Sequence, residues 1–321
     1  MQRHIYITSY SKDGGIYHTV LENGKLAFSD RLSLEYPLYT IADGKDMYAA
    51  LDTPFEDGSS GIVSFRINGD GSFDVKSLSA PQPTHGICAC HLCRHNGKIY
   101  AANYSSGSAA RLPDKLVAHS GKSVDADRQG SPHCHYINPS PDGRYLLVCD
   151  LGTDEIITYD KDLVRVASAK TPLGNGPRHL AFSPDGEYVY CACELSSTLS
   201  VFSYRDGFLT FESEVSTLPE GFDGVSYPAA IRYVNGRVYV SNRGHNSVSV
   251  FEAAGKSVSL VLNFDCGGNW PRDFDIFGEY LICTNERSDN VTVFRLKGDT
   301  FEQTDELNGV NSPLCVTQVI I

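Results

Sequence analysis

The sequence predicts an all-β fold, a seven-bladed β-propeller with four-stranded antiparallel blades, and three observations support this. The first is a repeating unit, because periods of about 40 to 50 residues are typical of propellers and solenoids. Its two clearest copies begin at Ser131 and Gly176 and read SPHCHYINPSPDGRYLLVCDLGTDEIITYD and GPRHLAFSPDGEYVYCACELSSTLSVFSY. The second is the dominance of hairpin signals without a long amphipathic helix, and the third is a spare strand pattern at the C-terminus.

The number of blades follows from the aromatic residue at the start of the second strand in each unit. Seven such residues occur, and each is followed by β-prone residues. They are Tyr6, Tyr48, Tyr100, Tyr145, Tyr188, Tyr239 and Tyr280. Tight-turn dipeptides such as Asp142-Gly143 and Asn235-Gly236 precede several of them, as expected for hairpins.

The closure of the ring is predicted from the two ends of the chain. The segment SPLCVTQVI, which starts at Ser312, matches the opening strand of the other units, whereas the first unit lacks that strand. A C-terminal strand that completes blade 1 would remove an open sheet edge. We therefore expect residues 1–321 to form one domain, and the alternative is a β-sandwich with coincidental repeats.

Composition and charge restrict the function. The chain has 41% hydrophobic residues and a formal net charge of -12, from 27 Lys and Arg against 39 Asp and Glu. This charge disfavours binding to nucleic acid or an anionic membrane. No apolar run is long enough to span a bilayer, and the N-terminal residues alternate without the apolar stretch of a secretion signal. A cytoplasmic protein without an obligatory protein partner is expected.

The ten cysteines are predicted to be reduced and buried, since a chain of this length needs no disulfide scaffold. The run HGICACHLCRH at residues 85–95 concentrates thiols and imidazoles, but it lacks the paired CxxC spacing of structural zinc sites. No metal is expected there. No glycine-rich loop stands in the strand–turn–helix context of a nucleotide site either, so we expect no cofactor.

A candidate pocket follows from hairpin geometry. In each blade the start of the first strand lies beside the end of the second, so positions about fifteen apart meet. This rule pairs His133 and His135 with Asp150, Arg178 with Glu194, Arg272 with Asn285 and Glu286, Tyr227 with the 242–245 turn that holds Arg243 and His245, and His85 with Asn103. All these positions belong to the same end of their blades, so a pocket rich in Arg and His is predicted at one mouth of the central channel.

Arginine forks match carboxylate or phosphate oxygens, so this pocket suits a small anionic molecule. Glu194 either acts in acid–base chemistry or orients Arg178 as a structural ion pair. His135 lies further into its strand than His133 and is preferred as the catalytic residue, with His133 as an anion ligand. Asp150 either holds an imidazole tautomer or caps its own turn, and the turn is the simpler role.

The same segments, together with NRGHNSVSVF and WPRDFDIFGEYLICTNERSDNVTVF, resemble the lactonase family of seven-bladed propellers. That family includes propeller-type 6-phosphogluconolactonases and fungal carboxymuconate lactonizing enzymes. In the lactonizing relatives the resemblance implies a site of one His, one Glu and two Arg. These correspond here to His135, Glu194, Arg178 and Arg243. The third blade departs from the family pattern in its HGICACHLCRHNG segment.

The prediction is a metal-independent lactonase, a carboxylic ester hydrolase that converts 6-phosphogluconolactone to 6-phosphogluconate in the pentose phosphate route. His135 or Glu194 would activate water, and Arg178 and Arg243 would stabilise the oxyanion or hold the phosphate. The further substrate-binding positions are His133, His85, Arg272, His245, Asp150 and Glu286. Two alternatives remain: a carboxymuconate-type lactonizing cycloisomerase, and a non-enzymatic propeller that binds a ligand.

Overall fold

A computed structural model describes residues 2–321 and contains the predicted seven-bladed β-propeller. Within these residues the chain forms seven antiparallel sheets and a single 3-10 turn, Val75–Ser77. Thr84–Phe264 forms one compact unit, and the segments on either side of it form a second. No helix in residues 2–321 is long and apolar enough to cross a membrane.

The second unit begins with blades 1 and 2. The chain-order strands of blade 1 are β1 (Arg3–Ser9), β2 (Gly15–Glu22) and β3 (Lys25–Leu32). Those of blade 2 are β4 (Pro37–Asp43), β5 (Asp46–Leu51), β6 (Gly61–Ile67), β7 (Phe73–Asp74) and β8 (Gln82–Pro83). Blade 2 departs from the expected four strands, because β7 and β8 share the outer position along β6. Pro81 and Pro83 have no N–H to donate, which limits pairing along that edge.

The Thr84–Phe264 unit holds four blades of four strands each. Blade 3 consists of β9 (Ala89–His95), β10 (Lys98–Asn103), β11 (Ser108–Arg111) and β12 (Lys115–Ala118), and blade 4 of β13 (Cys134–Pro139), β14 (Leu146–Asp150), β15 (Glu155–Tyr159) and β16 (Arg165–Lys170). Blade 5 consists of β17 (Pro177–Phe182), β18 (Tyr188–Cys193), β19 (Thr198–Arg205) and β20 (Phe208–Ser216), and blade 6 of β21 (Tyr227–Val234), β22 (Arg237–Arg243), β23 (Ser247–Ala254) and β24 (Ser257–Asp265).

Blade 7 and the closing strand complete the chain. Blade 7 consists of β25 (Pro271–Phe277), β26 (Tyr280–Asn285), β27 (Asn290–Lys297) and β28 (Thr300–Asn308), and the last strand is β29 (Pro313–Val319). β29 pairs with β1, with Thr317 opposite Tyr6, so blade 1 has the order β29-β1-β2-β3. The predicted closure of blade 1 by the C-terminal strand is confirmed.

Apolar side chains from neighbouring sheets form the core between blades. One buried cluster joins Ile5 and Ile7 of blade 1 to Ile282 and Val293 of blade 7. Alternating strand positions point to opposite faces, which lets a blade pack against neighbouring blades within its own unit. The ten cysteines are free thiols; nine are buried and Cys88 is half-buried, as the sequence predicted.

Candidate functional site

Hairpin register brings the site together at one end of the blades in the Thr84–Phe264 unit. In each of these blades the start of the first strand pairs with the end of the second strand, and the register shifts next to that pair. The paired residues are Ala89 with Asn103, Cys134 with Asp150, Pro177 with Cys193, and Pro228 with Asn242. The next residue along each second strand is Tyr104, Leu151, Glu194 or Arg243. Chemically different side chains therefore occupy one repeated position.

Glu194 is the centre of the site. Its Oε2 accepts hydrogen bonds from Arg178 Nε at 3.0 Å and pairs with Arg243 Nη2 at 2.7 Å, while Oε1 accepts from Arg128 Nη2 at 2.5 Å. The Glu194, Arg178 and Arg243 side chains are 5%, 3% and 7% exposed. Burial alone would raise the pKa of Glu194, but the charges of Arg243 and Arg178, then His135 and Arg128, hold it well below its usual range. Glu194 is therefore a permanent anion.

Backbone carbonyls fix the two buried arginines. Arg178 Nη1 donates to Ala229 O at 2.7 Å, and Arg243 Nε donates to Tyr227 O at 3.2 Å. Each guanidinium is thus held on one side by a β-strand carbonyl and on the other by Glu194. This arrangement presents preorganised cationic donors at a defined place, as stabilisation of a developing negative charge requires.

Sequence reasoning missed Arg128 and Tyr104. Arg128 lies in the loop between β12 and β13, and its Nη2 is 3.5 Å from the Tyr104 hydroxyl. Its guanidinium also lies 5.7 Å from the centre of the Tyr227 ring. Tyr104 could have been found, because it occupies the same repeated position as Glu194 and Arg243. Arg128 lies outside the repeated strands and gave no such signal.

The two candidate histidines occupy different environments. His133 is half-buried, its ring stacks on Tyr104 with centroids 4.5 Å apart, and its Nδ1 donates to Tyr104 O at 3.0 Å. His135 is 5% exposed and meets the rings of Tyr104 and His179 edge to face, at 5.4 and 5.3 Å. Its Nδ1 lies 3.6 Å from Cys90 Sγ. In its protonated form His135 lowers the pKa of Glu194, so it is the histidine that lies within electrostatic reach of the arginine cluster.

Two further buried histidines lie beside His135. His179 packs against both His91 and His135, with centroids 5.2 and 5.3 Å apart. Burial, then Arg232 and Arg178, lowers the pKa of His91 to about 3. Burial also lowers the pKa of His179 well below its ordinary value, and its Nε2 is buried without a hydrogen-bond partner in residues 2–321. Both rings are therefore neutral at physiological pH.

Asp150 supports the local backbone. Oδ1 accepts from the backbone N–H groups of His133 at 2.8 Å and Gly152 at 3.1 Å, and Oδ2 accepts from His119 Nδ1 at 2.7 Å. The fully buried carboxylate therefore caps its turn, the role that the sequence favoured, and orients His119. Both of its oxygens are engaged by protein groups, which does not fit the predicted contact with substrate. The imidazole that it holds belongs to neither His133 nor His135.

Among residues 2–321, one set of potential metal ligands has donor atoms within 4.8 Å of one another. It consists of His119, Cys134 and Asp150. His119 Nε2 accepts from the Tyr159 hydroxyl at 2.9 Å, so both of its ring nitrogens are engaged by protein groups. The hydrogen bonds already satisfy this cluster, which fits a structural role.

The other predicted site residues lie as follows. His85 is exposed in the loop before β9, with a φ of 59°, and its expected neighbour Asn103 pairs with Ala89. His245 is half-buried, and its Nδ1 lies 2.7 Å from Ser247 Oγ. Arg272 and Glu286 belong to the second compact unit, where they pair with each other at 3.2 Å.

The fold places the protein in the class of seven-bladed β-propellers. The sequence model of the lactonase, 7-bladed β-propeller family matches residues 4–318, and the chain belongs to that family. Uncharacterized proteins of Staphylococcus saprophyticus and Staphylococcus aureus are each 32% identical to it, over 90% and 97% of this chain and 91% and 98% of theirs.

Solved structures agree on the fold. A Lactobacillus plantarum protein is 28% identical with a TM-score of 0.90 and covers 100% of both chains. A Bacteroides fragilis protein, solved as a candidate 6-phosphogluconolactonase, is 26% identical with a TM-score of 0.89 and covers 99% of this chain and 98% of its own. The periplasmic gluconolactonase PpgL of Pseudomonas aeruginosa, at 24% identity and a TM-score of 0.89 over 100% of both chains, shares the fold.

Proposed function

We propose that the protein is a metal-independent carboxylic ester hydrolase that opens 6-phosphogluconolactone to 6-phosphogluconate. The observation that carries the proposal is the cluster of Arg128, Arg178 and Arg243 around Glu194, with His135 beside it. Three cations against one anion leave this cluster positive within a chain of formal net charge -12. Such a site concentrates an anionic substrate and stabilises negative charge that develops on a carbonyl oxygen. Membership of the lactonase family and the likeness to the Bacteroides fragilis protein support the same reaction.

In the proposed reaction, a water molecule attacks the lactone carbonyl carbon while His135 takes its proton at Nε2. The carbonyl electron pair moves onto the oxygen, where the Arg178 and Arg243 guanidiniums stabilise it. The ring C–O bond then breaks as the carbonyl re-forms, and His135 returns the proton to the departing alkoxide oxygen. One water is consumed and one hydroxy acid is produced.

Glu194 has a positioning role in this scheme. The sequence left open whether His135 or Glu194 activates water, and the low pKa of Glu194 makes its carboxylate a weak base at neutral pH. Its two oxygens instead hold three guanidiniums in fixed orientations. We therefore assign the proton transfer to His135.

A cytoplasmic location and a place in sugar-phosphate metabolism belong to the same proposal. The ten free thiols support it, because thiols persist in reducing compartments.

The test is acid release from 6-phosphogluconolactone, measured above the spontaneous rate for the wild type, Arg178→Met and Arg165→Met. Arg178→Met is expected to lower kcat by about a hundredfold or more, as loss of an oxyanion donor does. Arg165→Met is the matched control, since Arg165 is 51% exposed on β16 and pairs with Glu155. We expect wild-type activity from the control.

Wild-type protein that does not accelerate this hydrolysis would overturn the proposal. The lactonizing cycloisomerase would then be tested with a muconate dicarboxylate as substrate. If Arg178→Met has wild-type activity, the proposed reaction stands but the arginine cluster is not its site.

A further inference from the structure

The loop at residues 119–133, between β12 and β13, places a third arginine, Arg128, beside Glu194. Asp125 Oδ1 accepts from the backbone N–H groups of Asp127 at 2.9 Å and Arg128 at 3.0 Å. Gln129 N donates to Asp125 O at 2.7 Å, and Ser123 N donates to Gln129 O at 2.9 Å. These bonds fold the 119–133 loop back on itself around Arg128, so the backbone at that residue is fixed.

Asp154 fastens this loop to the blade 5 hairpin. Its buried carboxylate accepts from Ser123 Oγ at 2.5 Å and Gln129 Nε2 at 2.8 Å, both in the 119–133 loop. It also accepts from the backbone N–H groups of Gly174 and Gly176, each at 2.7 Å, just before β17. Four donors compensate the buried charge, as a buried carboxylate requires.

Gly176 connects this anchor to the centre of the site. Its N–H donates to Asp154, and its carbonyl accepts from Glu194 N at 2.8 Å. Two residues later the chain reaches Arg178. Asp154 is therefore bonded to two of the three segments whose arginines pair with Glu194, the one that carries Arg128 and the one that carries Arg178.

Arg128 differs from Arg178 and Arg243 in its access to solvent. Its side chain is 35% exposed, against 3% and 7% for the other two. Its Nη2 bonds to Glu194 and reaches the Tyr104 hydroxyl, whereas Nε and Nη1 have no hydrogen-bond acceptor among residues 2–321. Three N–H groups on these two nitrogens are thus left to donate charge-assisted hydrogen bonds to an external acceptor such as a phosphate oxygen.

We infer that Arg128 binds the phosphoryl group of the substrate and sets the preference for phosphorylated over neutral lactones, with Asp154 as the positioning residue. The inference rests on the proposed lactonase function and assigns one of its specificity contacts. The buried pair, Arg178 and Arg243, serves the carbonyl, while Arg128 serves the distal anion. Because the Arg128 side chain is partly exposed, the phosphoryl group can bind to it and leave without unfolding of the site.

The experiment compares kcat/KM on 6-phosphogluconolactone and on glucono-δ-lactone for the wild type, Arg128→Met and Lys122→Met. Arg128→Met is expected to lower kcat/KM about 10- to 100-fold on the phosphorylated lactone and less than about threefold on the neutral one, since one charged hydrogen-bonding group is lost. Lys122→Met is the matched control, because it removes an exposed cation from the same loop. It should leave both values unchanged.

Failure of the inference and failure of the proposed function give different results. An equal loss on both lactones, or no loss on either, overturns the role of Arg128 while the hydrolysis stands. Wild-type protein that opens neither lactone overturns the function and the inference with it. If only the phosphorylated lactone reacts, calorimetric binding of 6-phosphogluconate replaces the comparison, and Arg128→Met must weaken it at least about tenfold.

Asp154 is tested by the same selectivity. Asp154→Asn should lower kcat/KM on both lactones and more strongly on the phosphorylated one, because one amide oxygen cannot accept all four bonds and Asp154 supports both the Arg128 loop and the segment before Arg178. Ser123→Ala removes a single bond on the loop side and should give a smaller loss, about threefold, with the fold intact. A uniform loss on both lactones in Ser123→Ala, or none, would contradict the positioning role even where Asp154→Asn does not fold.

Discussion

Arg178 donates through Nε to Glu194 Oε2 at 3.0 Å, and the two side chains are 3% and 5% exposed. Arg272 and Glu286 occupy the matching hairpin positions of blade 7 and pair at 3.2 Å, but each is 24% exposed. The same Pro-Arg and Glu positions thus give a buried pair in one blade and a more accessible pair in the other. Burial, together with two additional arginines on Glu194, is what makes the blade 5 pair a candidate site.

Glu194→Gln is expected to lower both activity and stability. The amide keeps the shape but leaves Arg178 and Arg243 buried without their anion, which costs about 3 to 5 kcal/mol for a broken buried pair. Acid release from the lactone should fall about a hundredfold or more, because the guanidiniums lose their orientation. Urea unfolding and lactone hydrolysis measure the two effects.

The matched control for stability is Glu286→Gln, which breaks the more accessible pair with Arg272. Its cost should stay near or below about 1 kcal/mol. Equal free energies of unfolding for the two variants would mean that the Glu194 cluster is not a buried electrostatic centre.

Substitutions of His133 and His135 should have different effects on the kinetic constants. His135→Asn is expected to lower kcat about a hundredfold or more, as loss of a general base does. His133→Asn should act mainly on KM, since its half-buried ring is fixed by Tyr104 and does not transfer the proton in the proposed scheme. Steady-state kinetics at neutral pH distinguish them, and a kcat loss confined to His133→Asn would assign the base to His133.

The hairpin pairs were predictable because antiparallel register is local. The repeat placed Arg178 beside Glu194 and Arg272 beside Glu286, and the structure contains both pairs. Tyr104 was available to the same logic, since AANYSS aligns with CACELSS at the position of Glu194.

Arg128 could not be found by this logic. It lies in the 119–133 loop, which belongs to no repeat, and a set of side-chain bonds to Asp154 fixes its place. The sequence favoured a turn cap for Asp150 over an imidazole partner, and the carboxylate fills both roles. The imidazole is that of His119, which lies in the 119–133 loop outside the repeats and so could not be placed beside Asp150 by the hairpin rule.

Stability should decrease as the pH falls from about 6.5 toward 3, because of His91 and His179. The folded pKa of His91 is lowered to about 3 and that of His179 is also lowered, so below 6.5 the unfolded chain binds more protons than the folded one. Their contribution is complete above the unfolded pKa and is lost on acidification, and for His91 the loss is about 2 kcal/mol at pH 5.

Urea unfolding at pH 7.5 and pH 5 measures this effect. His91→Gln should reduce the difference between the two pH values by about 2 kcal/mol, because glutamine does not titrate. His85→Gln is the control, since that side chain is exposed. An unchanged pH dependence in His91→Gln would show that His91 is protonated in the folded protein.

The C-terminal strand should be required for the stability of blade 1 and, as we propose, for folding of the chain as one domain. A chain that ends at Asn311 lacks β29, including the buried Leu314, Cys315 and Val316, and leaves β1 with an unpaired edge. Its midpoint of thermal unfolding, followed by circular dichroism, should fall by more than about 10 °C or the cooperative transition should disappear.

The matched control ends at Val319 and removes only Ile320 and Ile321, which are 82% and 42% exposed. It should melt within about 2 °C of the full chain. A wild-type transition in the shorter chain would mean that β29 does not hold blade 1 closed.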